Sequence, residues 1–289
     1  MKFFNRVLTL LVMAAALCLM AGYALAQSDD GSMSEEEKMW RSIRWVEAGS
    51  DVPLGSEAHV MVPDGYIFTG RQGTQTLMKL YGNLLTEWEQ GYIEPLDENE
   101  MWFLVFEYED SGHVKDDEAD DLDADAIMKS FKDSDEAANA ERKSLGYPDL
   151  NTKGWLVPPY YNDETHNLEW ALLLESGGEE VVNYNIRLLG REGIMHVTVV
   201  TGVEEFEDVR KQVPAILSGF AFNPGRTYAE YKEGDKLADY GLMALLGAGA
   251  AGAAIGIFSK FGKVIIAAIV AAGAGVLAFI RKLFGRNKQ

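Results

Sequence analysis

The chain has 289 residues, with 26 Lys and Arg against 45 Asp and Glu, which gives a formal net charge of −19. An acidic excess of this size argues against binding to nucleic acid or lying on anionic lipid, because both are polyanions that attract basic patches. Cys18 is the one cysteine, which excludes an internal disulfide framework.

The first 26 residues are typical of a secretory signal peptide. Lys2 and Arg6 precede the apolar stretch 7–19, and small residues stand before a cleavage site at 24–26. We expect residues 1–26 to be removed, which takes away the only thiol and excludes a cysteine nucleophile or thiolate-bound zinc.

Residues 27–239 are predicted to form one extracytoplasmic domain. This part of the chain holds 18 basic and all 45 acidic residues, a formal charge of −27. A capping box at Ser34 and Glu37 predicts a short helix to about residue 46. The segment 57–70 is typical of a strand, a Pro-Asp-Gly turn and a second strand.

A second helix is predicted at 74–82, where Gly82 ends it. In the strand at 101–108 both alternating faces are mostly apolar, which predicts a central place in a sheet.

An acidic run follows, and it allows two interpretations. Asp121, Asp123 and Asp125 alternate as in a calcium loop, but Ala126 stands where such a loop needs glycine and Lys132 where it needs glutamate. The favoured interpretation is a solvated turn that caps a helix. A weak divalent-cation site of other geometry is the alternative.

Three alternating strands then follow, at 168–174, 182–188 and 194–200, and predict an antiparallel meander with one face on a core. The segment 203–217 has helical spacing, and 220–222 is predicted to form a last short strand. The fold class is therefore α+β, an antiparallel sheet packed by helices. The aromatic and proline-rich segment 154–170 is predicted to be a loop over the sheet edge.

The candidate ligand-binding residues lie opposite the meander's core. Asn183, Asn185 and Arg187 share one face of a strand, and His196 joins them from the next strand. They either line a groove or form the wet side of the sheet.

No common catalytic signature occurs, so an enzyme is the less favoured interpretation and no cofactor is expected. The alternative is an envelope hydrolase or ligand-processing enzyme that uses a carboxylate and histidine set at His113, Asp116, Asp117 and His196.

Residues 240–289 are predicted to anchor the chain in the inner membrane. The stretch 264–280 has 17 uncharged residues and basic residues follow it, so the C-terminal end is expected in the cytoplasm and the main domain in the periplasm. The uncharged segment 240–258 leaves open whether the chain crosses the bilayer once or twice. Ala248, Gly252 and Gly256 recur every four residues, a spacing that lets another helix approach closely or that belongs to a plain alanine-rich helix.

Ordered sequence blocks along the chain carry a family resemblance. They include "LGSEAHVMVPDGYIF", "WFLVFEYEDSGHVKDD", "GWLVPPYYNDETHNLEWA", "VNYNIRLLGREGIMHV" and "DKLADYGLMALLGAGAA". With these blocks the chain resembles the bacterial membrane-anchored family catalogued as domain of unknown function 2167. The resemblance implies a signal, an extracytoplasmic domain and an anchoring tail, and it implies no catalytic residue. The late strand, helix and "FAF" are similar to the antiparallel sandwiches of PsbP-like domains, an analogy of fold only.

The leading functional hypothesis is a membrane-anchored, periplasm-facing binding or scaffolding module of the bacterial cell envelope. Its expected partners are the lipid bilayer and an envelope protein or a second copy of the chain, and not nucleic acid. A structural subunit of a membrane complex is a further alternative.

Overall fold

The structure is a computed structural model that describes residues 34–246 except Leu84, Glu98 and Leu145. The predicted signal peptide 1–26 lies outside the described residues, as do Ala248, Gly252 and Gly256 and nearly all of the predicted anchor. Contacts divide the chain into two units, Met1–Ser42 and Ile43–Gln289.

Helix α1 (Glu35–Ser42) is the described helix of the first unit. The hydroxyl of Ser34 accepts a hydrogen bond from the backbone N–H of Glu37 at 3.1 Å, as expected for an N-cap. The helix ends four residues before the predicted end at residue 46.

The second unit contains the remaining elements. Its strands are β1 (Val46–Glu47), β2 (Asp51–Leu54), β3 (Ala58–Met61), β4 (Tyr66–Gly70), β5 (Glu89–Pro95), β6 (Phe103–Glu109), β7 (Leu150–Asn162), β8 (Asn167–Ser176), β9 (Glu179–Leu189), β10 (Ile194–Thr201) and β11 (Phe220–Phe222). Its α-helices are α2 (Arg71–Leu80), α3 (Ala124–Ser144), α4 (Phe206–Leu217) and α5 (Leu242–Leu245), and short 3₁₀ helices occur at Ala119–Asp121 and Tyr228–Glu230.

Eight strands form one antiparallel sheet in the order β1-β4-β5-β6-β10-β9-β8-β7. The predicted central strand is confirmed as β6, which lies between β5 and β10 and is buried from Phe103 to Glu107. The predicted meander is confirmed as β8, β9 and β10. The fold class, α+β with a large antiparallel sheet packed against helices, is confirmed.

A three-stranded sheet, β11-β3-β2, and helix α4 cover one face of the large sheet. Alternate side chains of β6, β9 and β10, among them Phe106, Ile186 and Val197, pack there against Val60 of β3 and Val213 of α4. Strand β11 is the predicted "FAF" strand, and it pairs with β3. Successive side chains of a strand point to opposite sides of the sheet. The residues between those core positions therefore lie on the other side of the large sheet, called here the second face.

The second face is also covered. Helix α2 lies against β4 and β5, and helix α3 lies along β7. The apolar row of β8 belongs to this face, because Trp170 pairs with Asn185 and Leu172 with Asn183, and directly paired residues share a face. The prediction that the meander has its core on one face only is therefore wrong, since β8 and β9 present their apolar rows to opposite sides.

Residues 154–162 of the predicted loop belong to strand β7, at the edge of the large sheet. Pro158 and Pro159 fit there because an edge strand leaves part of its N–H groups unpaired. The loop prediction is wrong for this part of the chain.

The described chain ends at Leu246 with a segment that belongs to the folded unit. Leu242, Leu245 and Leu246 are buried, and the backbone N–H of Met243 donates to the carboxylate of Glu118 at 3.1 Å. Among residues 34–246, no helix has the length and apolar character needed to cross a membrane.

Candidate functional site

A band of polar side chains crosses the middle of the second face. We call it the polar seam, and it consists of Glu107, Glu109, Asn183, Asn185, Arg187, His196 and Thr198. The strand register brings the seam together, because His196 of β10 pairs with Glu107 of β6 on one side and with Arg187 of β9 on the other.

All four predicted ligand-binding residues lie in this seam and are buried. Asn183 is 1% exposed, Asn185 5%, Arg187 3% and His196 0%. The interpretation of this row as the wet side of the sheet is therefore wrong. Burial changes the energetics, since each polar group now needs a partner inside the protein.

Among the described residues no carboxylate forms an ion pair with Arg187, although Glu107 and Glu109 lie close enough to act against the lowering of its pKa. Its guanidinium donates two long hydrogen bonds, from Nη1 to the carbonyl of Ile186 at 3.3 Å and from Nη2 to Asn185 Oδ1 at 3.4 Å, and it stacks 4.6 Å from the ring centre of Trp170. No acceptor among the described residues meets its Nε–H. Burial lowers the pKa of Arg187 to about 10, so the side chain stays charged at neutral pH.

A hydrogen-bonded chain runs from His196 to the C-terminal segment. His196 Nε2 lies 3.0 Å from one oxygen of Glu109, and the hydroxyl of Tyr240 donates to the other at 2.7 Å. Burial and the nearby Arg187 lower the pKa of His196 to about 4. Burial acts to raise the pKa of Glu109, but the hydrogen bonds from His196 and Tyr240 bring it below its usual value. A neutral imidazole therefore donates its Nε2–H to an ionised carboxylate.

Glu107 behaves differently from its neighbour Glu109. One oxygen accepts a hydrogen bond from the Thr86 hydroxyl at 2.7 Å, and the other has no partner among the described residues. Burial raises the pKa of Glu107 to about 7, although the bond from Thr86 opposes the rise. This carboxyl group therefore changes charge near neutral pH.

The two asparagines leave hydrogen-bonding capacity unused. Asn185 donates to the carbonyl of Asn183 at 3.0 Å and accepts from Thr198 at 3.4 Å. The side-chain amide of Asn183 has no partner for its nitrogen or its oxygen, and Trp170 Nε1 is likewise unpartnered, within residues 34–246. Within the described residues, Asn183 and Arg187 of the seam and the adjoining Trp170 thus have donors without an acceptor.

The sequence did not single out Glu107, Glu109, Trp170 or Tyr240 as members of this site. An acidic residue inside a strand with two apolar faces was a usable signal for Glu107. Tyr240 gave none, because its place depends on how the chain returns after β11.

The acidic run does not form a metal centre in the described residues. Asp123 Oδ1 accepts from the backbone N–H groups of Asp125 and Ala126 at 3.1 and 3.0 Å, just before helix α3. The helix-cap interpretation is confirmed for Asp123. Asp121 ends the preceding 3₁₀ helix.

The proposed carboxylate and histidine set is divided between two clusters. His113 lies between the rings of Tyr228 and Tyr231, at 4.4 and 4.2 Å between ring centres. Asp116 accepts a hydrogen bond from Tyr161 at 2.9 Å. His196 instead contacts Glu109 and the ring of Trp88.

Comparison with known proteins gives one family and several distant structures. The family described as "Protein of unknown function (DUF2167)" matches residues 47–280. No curated protein sequence matches the chain.

Three solved structures are similar to the chain at low scores. PsbP from Synechocystis sp. PCC 6803 has 12% identity and a TM-score of 0.36, and the match covers 67% of this chain and 99% of that one. LpqN, involved in cell envelope biogenesis of Mycobacterium tuberculosis, has 11% identity and a TM-score of 0.29, with 67% and 99% covered. The Saccharomyces cerevisiae Ran-binding protein Mog1p has 8% identity and a TM-score of 0.30, with 62% and 95% covered.

Proposed function

The chain belongs to the DUF2167 family, and we propose that it works as a non-enzymatic binding module of the bacterial cell envelope. The domain faces the periplasm, and residues after Leu246 anchor it in the inner membrane. The polar seam is its binding site, and the ligand carries a carboxylate or phosphate group.

The observation that carries the proposal is the environment of Arg187. Removing a guanidinium from water costs several kcal/mol, and an ion pair or a full set of hydrogen bonds normally offsets that cost. Arg187 has two long hydrogen bonds, and its Nε–H meets no acceptor within residues 34–246. Arginine binds carboxylate and phosphate groups through two parallel hydrogen bonds, so an anionic ligand would supply the missing acceptors.

Two neighbouring groups support the same ligand chemistry. Trp170 Nε1–H and the amide of Asn183 are donors without an acceptor in the described residues, and both lie on the second face with Arg187. An oxygen-rich ligand would satisfy all three.

Binding is better supported than catalysis because of the state of His196. Its Nε2–H is engaged by Glu109, its ring is 0% exposed, and its pKa of about 4 keeps it neutral. A general base has to accept a proton from a substrate, and an imidazole with so low a pKa is a weak base.

The location rests on the sequence. A basic and apolar start with small residues before position 27 is typical of export, and an uncharged stretch followed by basic residues is typical of a membrane anchor with a cytoplasmic end. Reporter activity in the cytoplasm from a fusion after Gln289 is the expected result. Recovery of the uncleaved chain from the soluble cytosol would refute the location.

The ligand is tested on the full-length protein purified in mild detergent. We expect a molecule with a carboxylate or phosphate group to be released on denaturation and identified by mass spectrometry, or inorganic phosphate or citrate to raise the unfolding temperature, because a ligand that binds only the folded state stabilises it. Arg187→Met should abolish both effects.

Arg44→Met is the matched control, since Arg44 is exposed. It should retain the released molecule and the thermal shift. The proposal fails if wild type shows neither effect, or if Arg187→Met keeps them while it remains folded.

A further inference from the structure

A cavity of about 420 Å³ lies on the opposite side of the large sheet from the polar seam. The turns between β2 and β3 and between β9 and β10, strand β5, the start of α2, and the loops after β6 and β11 form its wall. Ligand sites commonly have volumes of about 300–1,000 Å³, so the space is sufficient for a small molecule. Its charged and hydroxyl-bearing wall residues are Ser56, Glu57, Arg71, Tyr108, Asp110, Glu192 and Arg226.

One part of the cavity is electronegative. The hydroxyl of Tyr108 has no hydrogen-bond partner within residues 34–246, and its ring belongs to the partly buried edge of the core. Burial raises the pKa of Tyr108, the carboxylates of Glu57, Asp110 and Glu192 raise it further, and the nearby Arg226 opposes the rise. Glu57 is already engaged by Ser56 and Arg226, and Asp110 forms an ion pair with Lys236 through Oδ1 at 3.3 Å. Among the described residues, the acceptors left for a positively charged group are therefore the lone pairs of the Tyr108 hydroxyl and the second carboxylate oxygen of Asp110.

Another part of the cavity is positive. Arg71 is exposed, and its Nη2 donates a hydrogen bond to the backbone carbonyl of Glu87 at 2.6 Å. That bond orients the guanidinium and leaves its other N–H groups for a ligand. A guanidinium held in this way binds a carboxylate in a planar, two-bond geometry.

Arg226 does not compete for the same ligand group. Its Nε lies 3.2 Å from Glu57 Oε2, and its Nη1 forms an ion pair with Glu192. Because Arg226 is engaged by two carboxylates of the wall, Arg71 remains as the cation that faces the cavity without an ionic partner in the described chain.

From this arrangement we infer that the cavity binds a small zwitterion, a free α-amino acid, with its ammonium beside Tyr108 and Asp110 and its carboxylate on Arg71. A simple anion would use Arg71 alone, and a simple cation would use Tyr108 and Asp110 alone. A zwitterion satisfies both parts at once. The site is separate from the polar seam, so it stands whether or not the seam binds an anion.

The test measures binding to full-length protein in detergent by titration calorimetry and ligand-observed NMR. The probes are glycine, L-alanine and L-glutamine, with acetate and methylammonium as single-charge probes. At least one amino acid should bind roughly tenfold more tightly than either single-charge probe, a difference of about 1.4 kcal/mol. Arg71→Met should weaken that binding roughly tenfold, and Tyr108→Phe should weaken it several-fold.

Matched variants separate this site from the seam. Arg44→Met removes an exposed arginine elsewhere, and Arg187→Met changes the seam, so both should leave amino-acid binding intact. The inference is overturned if acetate binds as tightly as the amino acids, if no amino acid binds below about 10 mM, or if Arg71→Met has no effect while its fluorescence spectrum is that of the folded protein.

Discussion

Glu107→Gln should be more stable relative to wild type at alkaline pH than it is at acidic pH. The quantity compared is the difference in unfolding free energy between variant and wild type at each pH. The carboxyl of Glu107 has a pKa of about 7 in the folded protein against 4.5 when unperturbed. A raised acid pKa favours the folded state below about pH 4.5, and the stabilisation is lost as the pH rises through 7. Each pKa unit corresponds to about 1.4 kcal/mol.

The magnitude follows from the two pKa values. Between about pH 5 and pH 8, ionisation of buried Glu107 should cost roughly 2–3 kcal/mol of unfolding free energy. The substituted glutamine carries no charge at either pH and keeps an oxygen for the hydroxyl of Thr86. The stability difference between variant and wild type should therefore grow by that amount across this range.

Urea unfolding followed by tryptophan fluorescence is the assay. The six tryptophans lie at positions 40, 45, 88, 102, 155 and 170, so the signal reports on the domain and not on residues 247–289. Glu179→Gln, a change at an exposed end of β9, should preserve the wild-type pH profile. An equal stability difference at both pH values would refute the assignment of a buried, titrating carboxyl to Glu107.

Three further outcomes are expected. His196 has a lowered pKa of about 4, so its contribution to stability is complete above pH 6.5 and falls by roughly 2–3 kcal/mol as the pH drops to about 4. In urea titrations, His196→Gln should lose less stability than wild type over this acidic range. Gly193→Ala should destabilise the domain by about 1–3 kcal/mol or more, because a Cβ there would lie 2.3 Å from the carbonyl of Glu109, whereas Gly154→Ala has open space and should change thermal stability little. Tyr240→Phe should cost about 1.5–3 kcal/mol by removing a hydrogen bond to an ionised carboxylate, and an unchanged urea midpoint would contradict that bond.

The strands of the large sheet were predictable because their side chains alternate in polarity. The rows at 168–174, 182–188 and 194–200 predicted β8, β9 and β10 to within three residues at each end. Alternation defines two faces for one strand but does not relate the faces of neighbouring strands. The apolar row of β8 and the polar row of β9 therefore came out on the same side, which the sequence pattern alone did not indicate.

The candidate site was predictable only in part. Asn183, Asn185, Arg187 and His196 could be grouped because adjacent strands place them together. Their burial could not be derived, since it depends on side chains brought from distant parts of the chain. Residues 240–246 illustrate this, because an uncharged sequence predicts contact with something apolar without showing whether that is lipid or protein.

Strand β7 is the edge strand at one side of the large sheet, and it is 13 residues long. Long open edges recruit strands from other molecules and lead to aggregation. Here Pro158 and Pro159 lack N–H groups, and the pairing of β7 with β8 shifts register in three places, which bends the strand away from a flat template. At high protein concentration such an edge is an advantage, because two copies that meet there cannot pair their β7 strands into a continuous intermolecular sheet.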